Sequence, residues 1–203
     1  MILGIDEFGI RQVDGYYALS RHGGEDYDLR YWITPNDPEV MEYSCQLWDA
    51  DMDTFILNCW YWVCSEFPYR SEFIDYWYLP AEVLRAHDQY IVAIALHNEM
   101  RLPVLPPRIP GYDCDDLTYT LTSLLIAGGA DAYANIGYHG RYDKHAWVTV
   151  VRDGIEWILE STLSQQSADI LLRTNPWMPA ETAIQYRPVY RFNNITVNHL
   201  TNP

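Results

Sequence analysis

The stretch from Asp113 to Ser161 changes its hydrophobic period once, from helical to strand-like, and that change does most to set the architecture. Leu117, Leu121, Leu124 and Leu125 recur at three- and four-residue steps and mark one face of a helix, which Gly128 and Gly129 end. Asp131 to Tyr138 then reads as a strand. A polar turn (GRYDK) leads into HAWVTVV, a β-branched strand, and Asp153-Gly154 turns the chain into a second strand, IEWILES. RPVYRFNNITV in the tail supplies a last strand. A helix followed by hairpin-connected strands is an α+β arrangement.

Upstream, Asp37 stands ready to cap a helix that begins at Pro38. Between Asp51 and Glu66, the residues Met52, Phe55, Ile56, Cys59, Trp60 and Val63 give a helix with one buried face, ending before Pro68. Tyr90 to Leu96 fits a strand, and fits equally a helix continuing through Met100. Pro103 to Pro110 must be extended loop, because proline cannot sit in a helix interior. The first 35 residues mix glycine, tyrosine and charge without a sustained period. They read as turns and extended segments. The expected organisation is therefore an N-terminal extended arm, 1–35, and a single domain over 36–203.

Apolar residues make up 49% of the 203, ample for a core and too many for a disordered chain. The formal net charge is -15 and Lys144 is the only lysine, a balance that repels phosphate backbones and argues against nucleic acid as a partner. No apolar stretch approaches the roughly 20 residues of a membrane span. The opening residues, MILGIDEFGIRQVD, lack a basic segment followed by an apolar run, so no signal peptide is expected. The expected location is cytoplasmic, or virion-associated for a viral protein. Cys45, Cys59, Cys64 and Cys114 form no CxxC pair and no zinc-finger spacing. Cys59 and Cys64 lie in an apolar stretch, as buried thiols do, whereas Cys114 has polar neighbours.

Cysteine acyl transfer needs a thiolate, a base to shuttle its proton, and a group that holds the base. Cys114 falls at a helix N-terminus, whose positive potential lowers a thiol pKa. Asp113, Asp115 and Asp116 oppose thiolate formation, but can cap the helix and support its dipole. His145 opens one strand of the expected hairpin, and Glu160 closes the next, where its carboxylate can orient the imidazole.

The segments GYDCDDLTYTLTSLLIAGGADAYANIGY, HAWVTV and WILEST resemble the transglutaminase-like superfamily. FPYRSEFIDYWYLPAEVL resembles the segment that precedes the cysteine in bacterial and phage members, including bacterial transglutaminase-like cysteine proteinases. The resemblance runs from roughly Glu66 to Leu163. It implies a papain/transglutaminase-like core in which the nucleophile helix packs on an antiparallel sheet, with a helical N-terminal part. It assigns Cys114 as nucleophile, His145 as base and Glu160 as the orienting acid. It also implies an oxyanion hole built from the Cys114 backbone N–H and an upstream side chain, for which Trp77 is the candidate. No cofactor is required, although some bacterial relatives bind calcium beside the nucleophile. Asp113, Asp115 and Asp116 are the candidate ligands here, with helix capping as their favoured competing role.

The sequence departs from that pattern in three places. Glu160 stands where aspartate is usual, Tyr112 precedes the Asp-Cys pair where glycine is common, and residues 85–112 form an insertion that could cover the cleft, shape a groove or meet a partner. The expected function is cysteine-dependent hydrolysis of protein or peptide amides. The alternatives are a protein-glutamine transglutaminase, or a catalytically silent phage virion protein that keeps the fold and contacts an assembly partner.

Overall fold

A computed structural model of the chain describes residues 5–13, 15–21, 25–70, 77–100 and 110–200. The early residues without periodicity form a small antiparallel sheet of β1 (Ile10–Val13), β2 (Tyr16–Ser20) and β3 (Asp26–Asp28), followed by a 3-10 turn over Leu29–Trp32. Helix α1 (Pro38–Leu47) starts on its proline, and the Asp37 side chain accepts from the Glu39 N–H, as expected of an N-cap. Helix α2 (Met52–Glu66) is capped in the same way by Asp51, and it buries Phe55, Ile56, Cys59, Trp60 and Val63.

Of the two readings left open for residues 90–96, the helix is correct: α3 runs through them, over Pro80–Met100. The β-branched residues that suggest a strand, Ile91 and Val92, are exposed, so no sheet face selects for them. Packing of Ala81, Val83, Leu84 and His87 secures the first turns instead. The stretch 85–112 thus begins inside a helix. The loop expected from Pro103 lies outside the described residues as far as 109. Where the chain is next described, Tyr112 bridges to Tyr69 in parallel, and its carbonyl accepts from the Arg70 N–H at 2.8 Å. That bridge delivers the chain to α4 (Cys114–Ala127).

Every residue of α4 from Asp116 to Leu125 is buried. One side packs on the sheet and the other meets α1, α2 and α3. Leu117, Leu121, Leu124 and Leu125 share a core with Phe55, Trp60 and Val63 of α2 and with Val148, Val150 and Leu159 of the sheet. Tyr119 points into a second core with Ile10, Leu19 and Trp32, which ties the N-terminal sheet to the same helix. Each such leucine contributes roughly 1.5–3 kcal/mol by its burial.

The main sheet comprises β4 (Ala132–His139), β5 (Asp143–Arg152) and β6 (Ile155–Leu159), then, past α5 (Gln165–Thr174), β7 (Met178–Pro179), β8 (Tyr186–Phe192) and β9 (Val197–His199). Its six strands are all antiparallel, in the order β7-β6-β5-β4-β8-β9. Asp153 (φ 51°) and Gly154 (φ 76°) make the tight β5–β6 turn expected of Asp-Gly. The last strand expected in the tail is a hairpin, β8–β9, in which Asn193 accepts from the Ile195 and Thr196 N–H groups.

Candidate active site

Cys114 is the first residue of α4, where the backbone N–H groups have no partner within the helix. As a residue it is half-buried, whereas Cys59 and Cys64 are buried. It opens on a cleft of about 530 Å³, lined also by His145, Trp77, Tyr69, Phe8 and Arg11. Ala146 of β5 lines the same cleft, and its backbone N–H acts on the Cys114 thiol. His145, one residue earlier in β5, is thereby brought to the same cleft.

The hairpin then brings the acid to the histidine. Val148 pairs with Leu159, so extending that register by one residue sets Glu160 opposite Trp147 and diagonal to His145. His145 Nε2 donates to Glu160 Oε2 at 2.8 Å. An ionised carboxylate only accepts, so the proton of this bond belongs to Nε2 and leaves Nδ1 as the basic nitrogen. Helix α2 fixes the acid's backbone: Trp60 Nε1 donates to the Glu160 carbonyl at 2.8 Å. Two residues that sequence reasoning missed hold the carboxylate. Thr162 donates to Oε1 from its N–H (2.9 Å) and its hydroxyl (2.6 Å), and the Tyr186 hydroxyl donates to Oε2 at 3.0 Å. Thr162, two positions past the acid, was open to a reading of local side-chain turns. Tyr186 comes from another part of the sheet and leaves no such signal.

Burial works against a charged Glu160, but the hydrogen bond and charge of His145, helped by Thr162, outweigh it and hold the carboxyl below its usual range. Cys114 goes the other way. Burial pushes its thiol up, the Asp115 and Asp113 carboxylates push further, and the Ala146 N–H pulls back too weakly to compensate. Burial and the acids beside it thus oppose the lowering expected from the helix terminus.

The expected capping bond is not made by the Asp113 side chain, although Asp113 occupies the N-cap position. One of its oxygens, Oδ1, is buried and has no hydrogen-bond partner among the described residues. Asp116 Oδ1 accepts the Tyr78 N–H at 2.9 Å, which pins the loop beside Trp77 to the helix. Asp115 is pushed well above the usual carboxylate range by burial, by a hydrogen bond with Asp113 and by the charges of Asp116 and Asp113. Oxygens from all three lie within 4.8 Å of one another. Hard oxygen donors, net negative charge and an unpartnered buried oxygen fit a calcium ion.

No protein-family model and no curated protein matches the chain. Solved structures do. Legionella pneumophila LapG, a transglutaminase-like cysteine protease, superposes with a TM-score of 0.55 at 15% identity, covering 79% of this chain and 76% of that one. Its EGTA-treated form gives 0.55 at 15% identity over 79% and 73%, and its calcium-bound form gives 0.54 at 16% identity over 80% and 77%. The fold is transglutaminase-like. Within this transglutaminase-like fold, the α+β core, with Cys114 opening a helix that packs on an antiparallel sheet, is as the sequence led us to expect. Trp77 lines the cleft with Cys114, stacked on Tyr119 at 5.9 Å. Among the described residues no helix is long and apolar enough to cross a membrane.

Proposed function

We propose that the chain is a cysteine-dependent hydrolase of amide bonds in proteins or peptides, acting through Cys114, His145 and Glu160. The observation that carries this reading is the 2.8 Å His145–Glu160 hydrogen bond in the wall of the cleft onto which Cys114 opens.

With Nε2 committed to Glu160, His145 Nδ1 takes the thiol proton as the Cys114 sulfur attacks the amide carbonyl carbon. The developing oxyanion is met by the Cys114 N–H and, as the resemblance implies, by the Trp77 indole N–H. The tetrahedral intermediate collapses, the C–N bond breaks, and the amine leaves with the proton from His145. A thioester remains on Cys114. Water then gives a proton to His145 and attacks the thioester, releasing the acid and restoring the thiol. Throughout, ionised Glu160 stabilises the imidazolium and keeps its proton on Nε2.

Asp113, Asp115 and Asp116 would hold a calcium ion, as the existence of a calcium-bound LapG also supports. Bound there, it supplies positive charge that cancels the carboxylates raising the thiol pKa. A second reading, a silent protein that keeps the fold, is favoured by the upward push on the Cys114 thiol.

Iodoacetamide labelling against pH, with the modified cysteine located by mass spectrometry, decides between them. In calcium we expect Cys114 to be labelled selectively below about pH 8.5, the ordinary thiol value. Chelation should slow that labelling, and Cys114→Ala should abolish amide hydrolysis while changing stability by less than about 1 kcal/mol. A Cys114 that reacts no faster than exposed Cys45, with or without calcium, would sink the hydrolase reading.

A further inference from the structure

We propose that Tyr186 is a positioning residue, whose hydroxyl holds the Glu160 carboxylate in the orientation that serves His145. The proposal rests on the reading of His145 and Glu160 as a working pair, and it explains how a glutamate can stand in that role.

A glutamate carboxylate is carried on one more rotatable bond than an aspartate, and rotation about its last bond is broad. Holding one oxygen still leaves the other free to swing. Thr162 fixes Oε1 with two donors from the same short turn. On Oε2, among the described residues, the one donor besides His145 itself is the Tyr186 hydroxyl, at 3.0 Å. Without that hydroxyl, the bond to be positioned would also have to do the positioning.

Tyr186 is placed for the task by the sheet. It opens β8, pairs with His139 of β4, and lies three strands from Glu160 in the sheet order. Its ring spans that gap by packing on His139 (4.7 Å between centroids) and edge-on to Trp147 (5.2 Å). A phenylalanine ring would make both contacts, so packing alone does not call for a hydroxyl. The phenol's pKa is raised by burial and then by the Glu160 charge, so the proton stays on Tyr186 and the bond runs from tyrosine to carboxylate. The tyrosine thus clamps the acid from the opposite side to Thr162.

The test is Tyr186→Phe, alone and combined with Glu160→Gln. Its first readout is the downfield proton resonance of the His145 Nε2–H, identified by its absence in His145→Gln. A second is the rate of Cys114 alkylation at one fixed pH in calcium. We expect Tyr186→Phe to abolish the resonance through exchange with water and to slow alkylation about tenfold, the loss of one hydrogen bond to a charged group. In the Glu160→Gln background the same change should slow alkylation no further. An undisturbed resonance in a folded Tyr186→Phe protein, or equal slowing in both backgrounds, would overturn the assignment. Should Cys114 prove inert in the unaltered protein while the resonance still responds, the positioning role stands and the hydrolase reading falls. Circular dichroism on each variant separates these results from unfolding.

Discussion

Asp115 and Glu160 are both largely withdrawn from water, yet burial has opposite consequences for them. Glu160 is met by donors from His145, Thr162 and Tyr186, so its carboxyl is easier to ionise in the folded protein than in the unfolded one. Its contribution to stability is present above the usual carboxylate value, about 4.3, and is lost as pH falls through its depressed folded value. Asp115 is surrounded by other carboxylates, and its folded pKa is raised. Its contribution is present below about 3.9 and disappears as pH rises through that raised value. Thermal melts across pH check both signs. At pH 8 without metal, Asp115→Asn should melt higher than the unaltered protein, and the gain should shrink on acidification. Calcium should raise the melting temperature of the unaltered protein at pH 8 and do little for the variant. Glu160→Gln should cost roughly 1–3 kcal/mol at pH 7 and nothing once the pH is below the depressed value.

At the scale of elements, the site depends on how closely β8 can approach β4. Gly137 lies opposite His145, and a Cβ placed on it would overlap the Arg187 carbonyl oxygen and crowd Pro188, at the irregularity where the β4–β8 register shifts. Backbone cannot yield as a flexible side chain can. Gly137→Ala should therefore cost about 3 kcal/mol, the upper end for overpacking, and should move His145 as β4 withdraws; denaturant melts and the His145 N–H resonance would register the two effects. The elements that carry or support the candidate triad were legible because each has both a period and a punctuation mark. Asp37 and Pro38 open α1, Gly128 and Gly129 close α4, and Asp153-Gly154 folds β5 onto β6. Hairpin register alone then brings His145 and Glu160 within reach. Residues 90–96 were ambiguous because Ile91 and Val92 favour strands, while the anchoring of α3 lies a turn or more upstream in Val83, Leu84 and His87. Tyr186 was beyond local pattern altogether, since only the completed sheet brings it near Glu160.

The molecule as a whole joins two sources of structure at the cleft. Its floor comes from α4 and β5, but one wall comes from residues 5–20, including Phe8, Arg11 and Ser20. The sequence suggested an arm there, because a hairpin held by side chains from distant strands shows no period of its own. Asp6 is its main fastening. One carboxylate oxygen accepts the Phe8 and Ile10 N–H groups at 2.9 and 2.8 Å, and the other accepts the Tyr190 hydroxyl at 2.6 Å. Lys144 adds a bond from its ammonium to the Glu7 carbonyl. Asp6→Ala should release this wall at a cost of about 1–3 kcal/mol, seen as faster hydrogen exchange over residues 5–20 with that of α4 unchanged; equal exchange in both proteins would show that the fastening lies elsewhere.

This division of the cleft has a consequence for how such a protein diversifies. The residues proposed to break a bond lie between 114 and 160, while one wall of the cleft comes from residues between Ile5 and Ser20. Selection, or a mutagenesis library confined to the hairpin, can therefore redraw what is admitted while the chemical engine is inherited intact.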